Sequence, residues 1–224
     1  MAYTDDEIKR VIIDQLSWDY RIGMSAIEVK VHNGEVILEG TVPSYAARQA
    51  AEADVLQVPG VVKVTDRLTL KFPSSISVPS DNEIKIRLLN RFLWNPNIEA
   101  SSIEVAVDKG TVILQGTTDA YWKKMRAEEI AYDIQGVVHV SNELVVVPTH
   151  AYADKAVAQD IMSALQRNFE LDHYRIEVDV ENGRVTLSGI VHDLKELYTA
   201  YRIARFTRGV RDVVNLLRVQ QKAA

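Results

Sequence analysis

The chain contains no cysteine. That excludes a disulfide framework, a thiolate metal site and a cysteine nucleophile. Its apolar stretches all fall well short of the ~18 residues that a membrane-spanning helix needs. Its amino terminus, Met1-Ala2-Tyr3-Thr4-Asp5-Asp6, lacks a basic segment followed by an apolar one. No secretory signal is therefore expected, and the expected location is the cytoplasm, or the periplasm where a signal has been removed. Excess positive charge is also missing: the net charge is −5, which argues against a general nucleic-acid binder. What remains is ordinary globular composition, with 47% hydrophobic and 25% charged residues. The 224 residues are awkward for one domain or two.

Nine of the ten glycines resolve the difficulty. Gly34, Gly40 and Gly60 recur as Gly110, Gly116 and Gly136, then as Gly183, Gly189 and Gly209, with offsets of 76 and 73 residues. At the first offset, residues 4–72 and 80–148 are identical at 25 of 69 positions. The chain is thus read as three tandem domains, 1–72, 80–148 and 153–221, joined by short proline-containing linkers.

Each copy opens with apolar residues four apart, as at Ile8, Ile12 and Leu16, which line one face of a helix. Thr4 and Ser80, with Glu7 and Glu83 three residues on, form capping boxes. Ala153 stands at the same position in the third copy. Strict alternation follows at Ile27–Val31, Ile103–Val107 and Ile176–Val180, the pattern of a half-buried strand. Turns at Asn33-Gly34, Lys109-Gly110 and Asn182-Gly183 lead to returning strands around Leu38, Leu114 and Leu187. Both central residues of such a hairpin turn need positive φ. A second helix at 44–57, 120–133 and 193–206 carries Ala51, Ala127 and Ala200 at one position, and a Val-rich strand closes each copy. The fold class is α+β: three tandem α-β-β-α-β domains, each a three-stranded mixed sheet with two helices on one face.

The sequence of a first helix, I-x-V-x-V, N-G-x-V-x-L-x-G-x-V, an Ala-bearing helix and G-V-x-x-V-x-N-x-L resembles the BON domain (bacterial OsmY and nodulation). Ile27–Val31, Asn33–Val42 and Gly60–Val64 carry the likeness in copy one, Gly136–Leu144 in copy two and Gly209–Leu217 in copy three. Two departures stand out: Asp66 replaces the Asn of Asn142 and Asn215, and Thr118 replaces Val after the second glycine. The resemblance implies a non-catalytic module of osmotic or envelope stress that engages phospholipid headgroups or a protein partner. A protein–protein scaffold or chaperone-like role is the second reading, and a potassium-responsive sensor is the third. No cofactor is implied.

Catalytic motifs are missing. His32, His139, His150, His173 and His192 form neither a His-x-His nor an HExxH pattern. Glu28, Glu104 and Glu177 recur at one strand position and read as a solvated outer face that guards against edge pairing. An enzyme is not expected.

Charge divides unevenly. The stretches 1–72 and 73–148 each carry −3, whereas 149–224 carries +1. The third copy owes this to Arg202, Arg205, Arg208 and Arg211, which follow Lys195 along its second helix and beyond. Spacing of three places Arg202, Arg205 and Arg208 near one helical face, a candidate patch for anionic headgroups or an acidic partner. Copy two offers Trp122, Lys123, Lys124 and Arg126 at the start of its second helix, an aromatic beside cations that suits a membrane interface. The neighbouring Tyr121 aligns with Tyr45 and is read as core. Trp18 and Trp94, at the ends of the first helices, are expected to pack against the core. Ile37 and Ile113 face away from the core side of their strands and point to packing of repeats one and two against each other or against a partner.

Overall fold

The computed structural model describes residues 3–22, 26–74, 77–169, 171–172 and 175–220. His173, the linker residues Ser75 and Ile76, and the first two residues lie outside them. Three α-β-β-α-β repeats follow one another. The first is α1 (Asp5–Trp18), β1 (Ile27–His32), β2 (Glu35–Val42), α2 (Tyr45–Leu56) and β3 (Lys63–Leu70). The second is α3 (Asp81–Leu93), β4 (Ile103–Asp108), β5 (Thr111–Thr118), α4 (Tyr121–Tyr132), β6 (His139–Asn142) and β7 (Val145–Val146). The third is α5 (Asp154–Gln166), β8 (Ile176–Glu181), β9 (Arg184–Val191), α6 (Leu194–Phe206) and β10 (Asp212–Val219).

In each repeat the hairpin is antiparallel and the last strand returns parallel to the middle one. The middle repeat differs in that its closing strand breaks at Glu143-Leu144 into β6 and β7, both along β5. One apolar cluster per repeat joins both helices to the same sheet face. In the first it contains Ile8, Ile12 and Leu16 of α1, Val36 and Leu38 of β2, and Ala47, Ala51 and Val55 of α2. The alanines repeated along the second helix are fully buried there, where a larger side chain would hold the helix off the sheet.

The hairpin turns have the expected backbone, with Asn33, Lys109 and Asn182 at φ near +50° ahead of their glycines. A second device fixes them. The first residue of each first helix, Asp5, Asp81 or Asp154, accepts hydrogen bonds from two consecutive turn amides at 2.8–2.9 Å. One carboxylate thus meets the positive end of its helix and closes the turn of the hairpin. The amides of Gly34 and, secondarily, Asn33 hold the Asp5 carboxyl below the usual carboxylate range. Because the folded value is depressed, this contribution is present above about pH 4 and disappears as the pH falls through the folded value. Asp5→Ala should lower stability by about 1.5–3 kcal/mol, the range for hydrogen bonds to a charged group, as measured by urea unfolding at pH 7. An unchanged midpoint would show that the turn closes without the clamp.

Thr4 and Ser80 form complete capping boxes, while Ala153 gives no side-chain cap. The substitution of Asp66 for Asn is matched by another change. Asn142 donates to the backbone oxygen of Lys124 at 2.8 Å. In repeat one, Asp66 instead accepts from the Arg48 side chain at 2.6 Å. Arg48 and Lys124 occupy the same position, so the two exchanges compensate.

Candidate functional site

The repeats meet through their second helices: α2, α4 and α6 each touch the other two. The expectation that Ile37 and Ile113 mediate this packing is therefore corrected. Ile37 is only half buried, and ion pairs flank it on the outer sheet face, Lys30 with Glu39 at 2.6 Å and Arg67 with Glu39 at 3.0 Å. Such a charged face stays in water because desolvating it would cost more than an apolar contact returns. Glu28, Glu104 and Glu177 are likewise exposed.

The contact is made at one position in all three copies. Tyr45, at the start of α2, is buried in the core cluster of the second repeat, not in its own. Its ring meets Tyr132 edge-on with centroids 5.1 Å apart, and its hydroxyl lies 3.5 Å from Nδ1 of His139. Tyr121, at the start of α4, is buried in the core of the third repeat, its hydroxyl 3.0 Å from that of Tyr201. Burial, followed by this hydrogen bond, pushes its phenol pKa up and keeps the proton in place. Leu194, at the start of α6, packs on the core of the first repeat, and its amide donates to the Val61 carbonyl at 2.8 Å. Beside it the Gly60 amide donates to Asp193 at 3.2 Å. Repeat one thus enters two, two enters three, and three returns to one. Head-to-tail contacts of one kind close into a ring when the rotation allows it, and here three copies suffice.

This arrangement sorts the candidate residues. Arg205 is only 8% exposed, and its guanidinium pairs with Glu129 of α4 across the junction between repeats two and three. It is withdrawn from the surface patch, since position 205 directly flanks the buried Ala204 and faces the neighbouring helix. Arg202 and Arg208 are exposed, and no ion pair engages either among the described residues. Lys195 is half buried beside the Leu194 contact. At the start of α4, Trp122 is half buried, with the Lys123 ammonium 5.8 Å from its ring centre. Lys123 is held by Asp119 at 2.9 Å and Arg126 by Glu129 at 3.2 Å, which leaves Lys124 as the least engaged cation of that group.

Trp18 and Trp94 require a further correction. They are 87% and 85% exposed. Each lies two residues beyond the last buried position of its helix, about 200° around the axis from the apolar stripe. Tyr20, Leu93 and Phe169, at or next to the corresponding helix ends, are also exposed, Phe169 completely. In repeat three this end is basic. Phe169, Arg167 and Ile203 of α6 line one shallow hollow. Arg202 and the exposed Phe206 lie within one turn of Ile203. Among the described residues no cluster of three or more His, Asp or Glu suits a metal ion. Nor is any described helix long and apolar enough to cross a membrane.

Architecture and sequence together define a tandem array of small α+β modules joined head to tail. Residues 4–71, 80–148 and 153–221 each match the BON domain family, and the chain belongs to that family. It is 30% identical over 146 residues to the osmotically-inducible protein Y of Escherichia coli (strain K12), a match spanning 62% of this chain and 73% of that protein. It is 29% identical over 137 residues to an uncharacterised protein in the gshII 5′ region of Anaplasma centrale, covering 59% and 90%. Among solved structures, CdsD, a structural protein of the type III secretion system of Chlamydia trachomatis, aligns over 94% of this chain and 93% of its own, at 15% identity and a TM-score of 0.27.

Proposed function

We propose that the chain is a non-enzymatic stress protein of the osmotically-inducible type whose ring docks peripherally on an anionic phospholipid surface. The observation that carries this reading is the exposed aromatic or aliphatic side chain at the end of every first helix, next to cations in the third repeat. Trp18, Trp94 and Phe169 hold aromatic rings in the open at these ends, and such rings are suited to the headgroup level of a membrane. Arg167, Arg202 and Arg208 then supply the electrostatic attraction, each worth about 1 kcal/mol at an anionic surface. Contacts of this size are individually weak, and linking three of them raises the affinity without requiring a deep pocket. The site thus shifts from the starts of the second helices, two of which are occupied with tyrosines docked in neighbouring repeats, towards the ends of the first helices and the face of α6 beside them.

Co-sedimentation with vesicles tests the reading. Binding to phosphatidylglycerol-containing vesicles should exceed binding to pure phosphatidylcholine and weaken with salt. The Arg202→Glu/Arg208→Glu double variant should reduce it by about tenfold or more, and Trp94→Ala should reduce it without altering the unfolding midpoint. Equal pelleting with neutral and anionic vesicles, or no effect of these variants, would remove the membrane reading.

A further inference from the structure

One buried acid takes no part in either the ring or the exposed face. Asp54, on α2, is 7% exposed, and its Oδ2 atom has no hydrogen-bond partner among the described residues. The matching positions in the other repeats hold Ile130 and Ile203, apolar as a core-facing position demands. Opposite Asp54, in the turn after α1, stands Asp19, whose counterparts are the neutral Asn95 and Asn168. Repeat one alone therefore combines two carboxyls where its sisters have none. One guanidinium serves both: Arg21 grips Asp19 through Nε at 2.9–3.0 Å and through Nη2, but approaches Oδ1 of Asp54 only to 4.0 Å. Asp133 of the second repeat also acts on Arg21, so this cation is shared. Asp19 and Arg21 are the charged groups acting on Asp54 from the turn packed against it.

We propose that Asp54 and Asp19 form a proton-binding acid pair, which takes up one proton from solvent in mildly acidic conditions and fastens the end of α1 to α2. The bound proton sits on Asp54, whose hydroxyl then donates to the Asp19 carboxylate, satisfying the orphaned oxygen. Burial, with a smaller push from Asp19 against the pull of Arg21, raises the Asp54 carboxyl to about 6. The folded value lies above the unfolded one, so the folded state holds a proton that the unfolded chain releases between roughly pH 4 and 6. Stability therefore rises as the pH falls through 6 and levels off below about 4.

The pair adjoins an exposed end of the ring. Asp19 lies between Trp18 and Tyr20 in the chain, so protonation of the pair removes one negative charge near this exposed end. On the surface-docking reading, on which this consequence rests, attachment to anionic vesicles strengthens about fourfold more in the wild type than in Asp54→Ile as the pH drops from 7.5 to 5.5, the effect of most of one unit charge.

The test is the carboxyl ¹³C shift of Asp54, followed by NMR from pH 3 to 8 in the whole chain. A midpoint near 6 is expected, and a midpoint near 4 overturns the acid pair. Urea unfolding at pH 5 and 7.5 supplies the second measurement. The wild type should be more stable at pH 5. Asp54→Ile, which copies the sister repeats, should be more stable than wild type at pH 7.5 and nearly insensitive between the two. An unchanged pH profile in that variant also overturns the pair. Vesicle binding at both pH values separates the two ideas: a midpoint near 6 without any lipid attachment upholds the acid pair and removes the surface reading alone.

Discussion

Tyr121→Ala should detach the third repeat from the second and cost about 3–5 kcal/mol, the range for deleting a buried aromatic side chain. The side chain leaves a hole in the third core, and Tyr201 loses its hydroxyl partner. Because Tyr121 belongs to one repeat and fills the core of the next, the loss uncouples them. Urea unfolding, expected as one transition in the wild type, should split into two, the third repeat melting first. Tyr121→Phe should keep the ring and lose only about 1 kcal/mol, the net value of one hydrogen bond. A Tyr121→Ala chain that unfolds in one unchanged transition would show that the repeats are joined by something other than this contact.

Gly116→Ala should be comparably damaging for a different reason. Gly116 faces Ile103 across the hairpin, with φ at +117°, in the left-handed half of backbone space that side chains avoid. A Cβ there would lie 2.1 Å from the Ser102 carbonyl oxygen, and the same approach recurs at 1.9 Å for Gly40 and 2.0 Å for Gly189. The obstruction is backbone, which cannot rotate away as a side chain does. The strain alone is worth about 1–3 kcal/mol, and the clash adds to it, so the total should exceed about 2 kcal/mol. Circular dichroism during urea titration should show the middle repeat unfolding at lower denaturant. A midpoint equal to wild type would mean that β4 can slide away from β5 at little cost.

Most of the fold is legible in the sequence because local rules act alone there. Helix spacing, strand alternation, the turn glycines and the capping boxes each depend on residues within a few positions, and the threefold repetition makes each signal visible three times. The head-to-tail ring is harder to read. Tyr45, Tyr121 and Leu194 stand six residues before Ala51, Ala127 and Ala200, which places them about 120° away from the core stripe of their own helices. That angle indicates that they leave their own core but not which surface receives them. Arg205 illustrates the same gap: a three-residue spacing groups it with Arg202 and Arg208, whereas its burial depends on Glu129, 76 positions away. The exposure of Trp18 and Trp94 follows from their position on the helix and is visible once the angle from Leu16 and Phe92 is measured. The acid pair at Asp54 and Asp19 emerges only when each position is compared with its sisters in space.

The third repeat closes back onto the first with no linker between them, through Leu194 and the Val61 carbonyl. Isotope-filtered nuclear Overhauser spectroscopy on a mixture of differently labelled chains tests it directly. The Leu194 amide, bonded to the Val61 carbonyl at 2.8 Å, should give an Overhauser effect to the Val61 Hα. This effect should be intramolecular and unchanged on dilution. Its absence, or its appearance only between differently labelled chains, would contradict the closed ring.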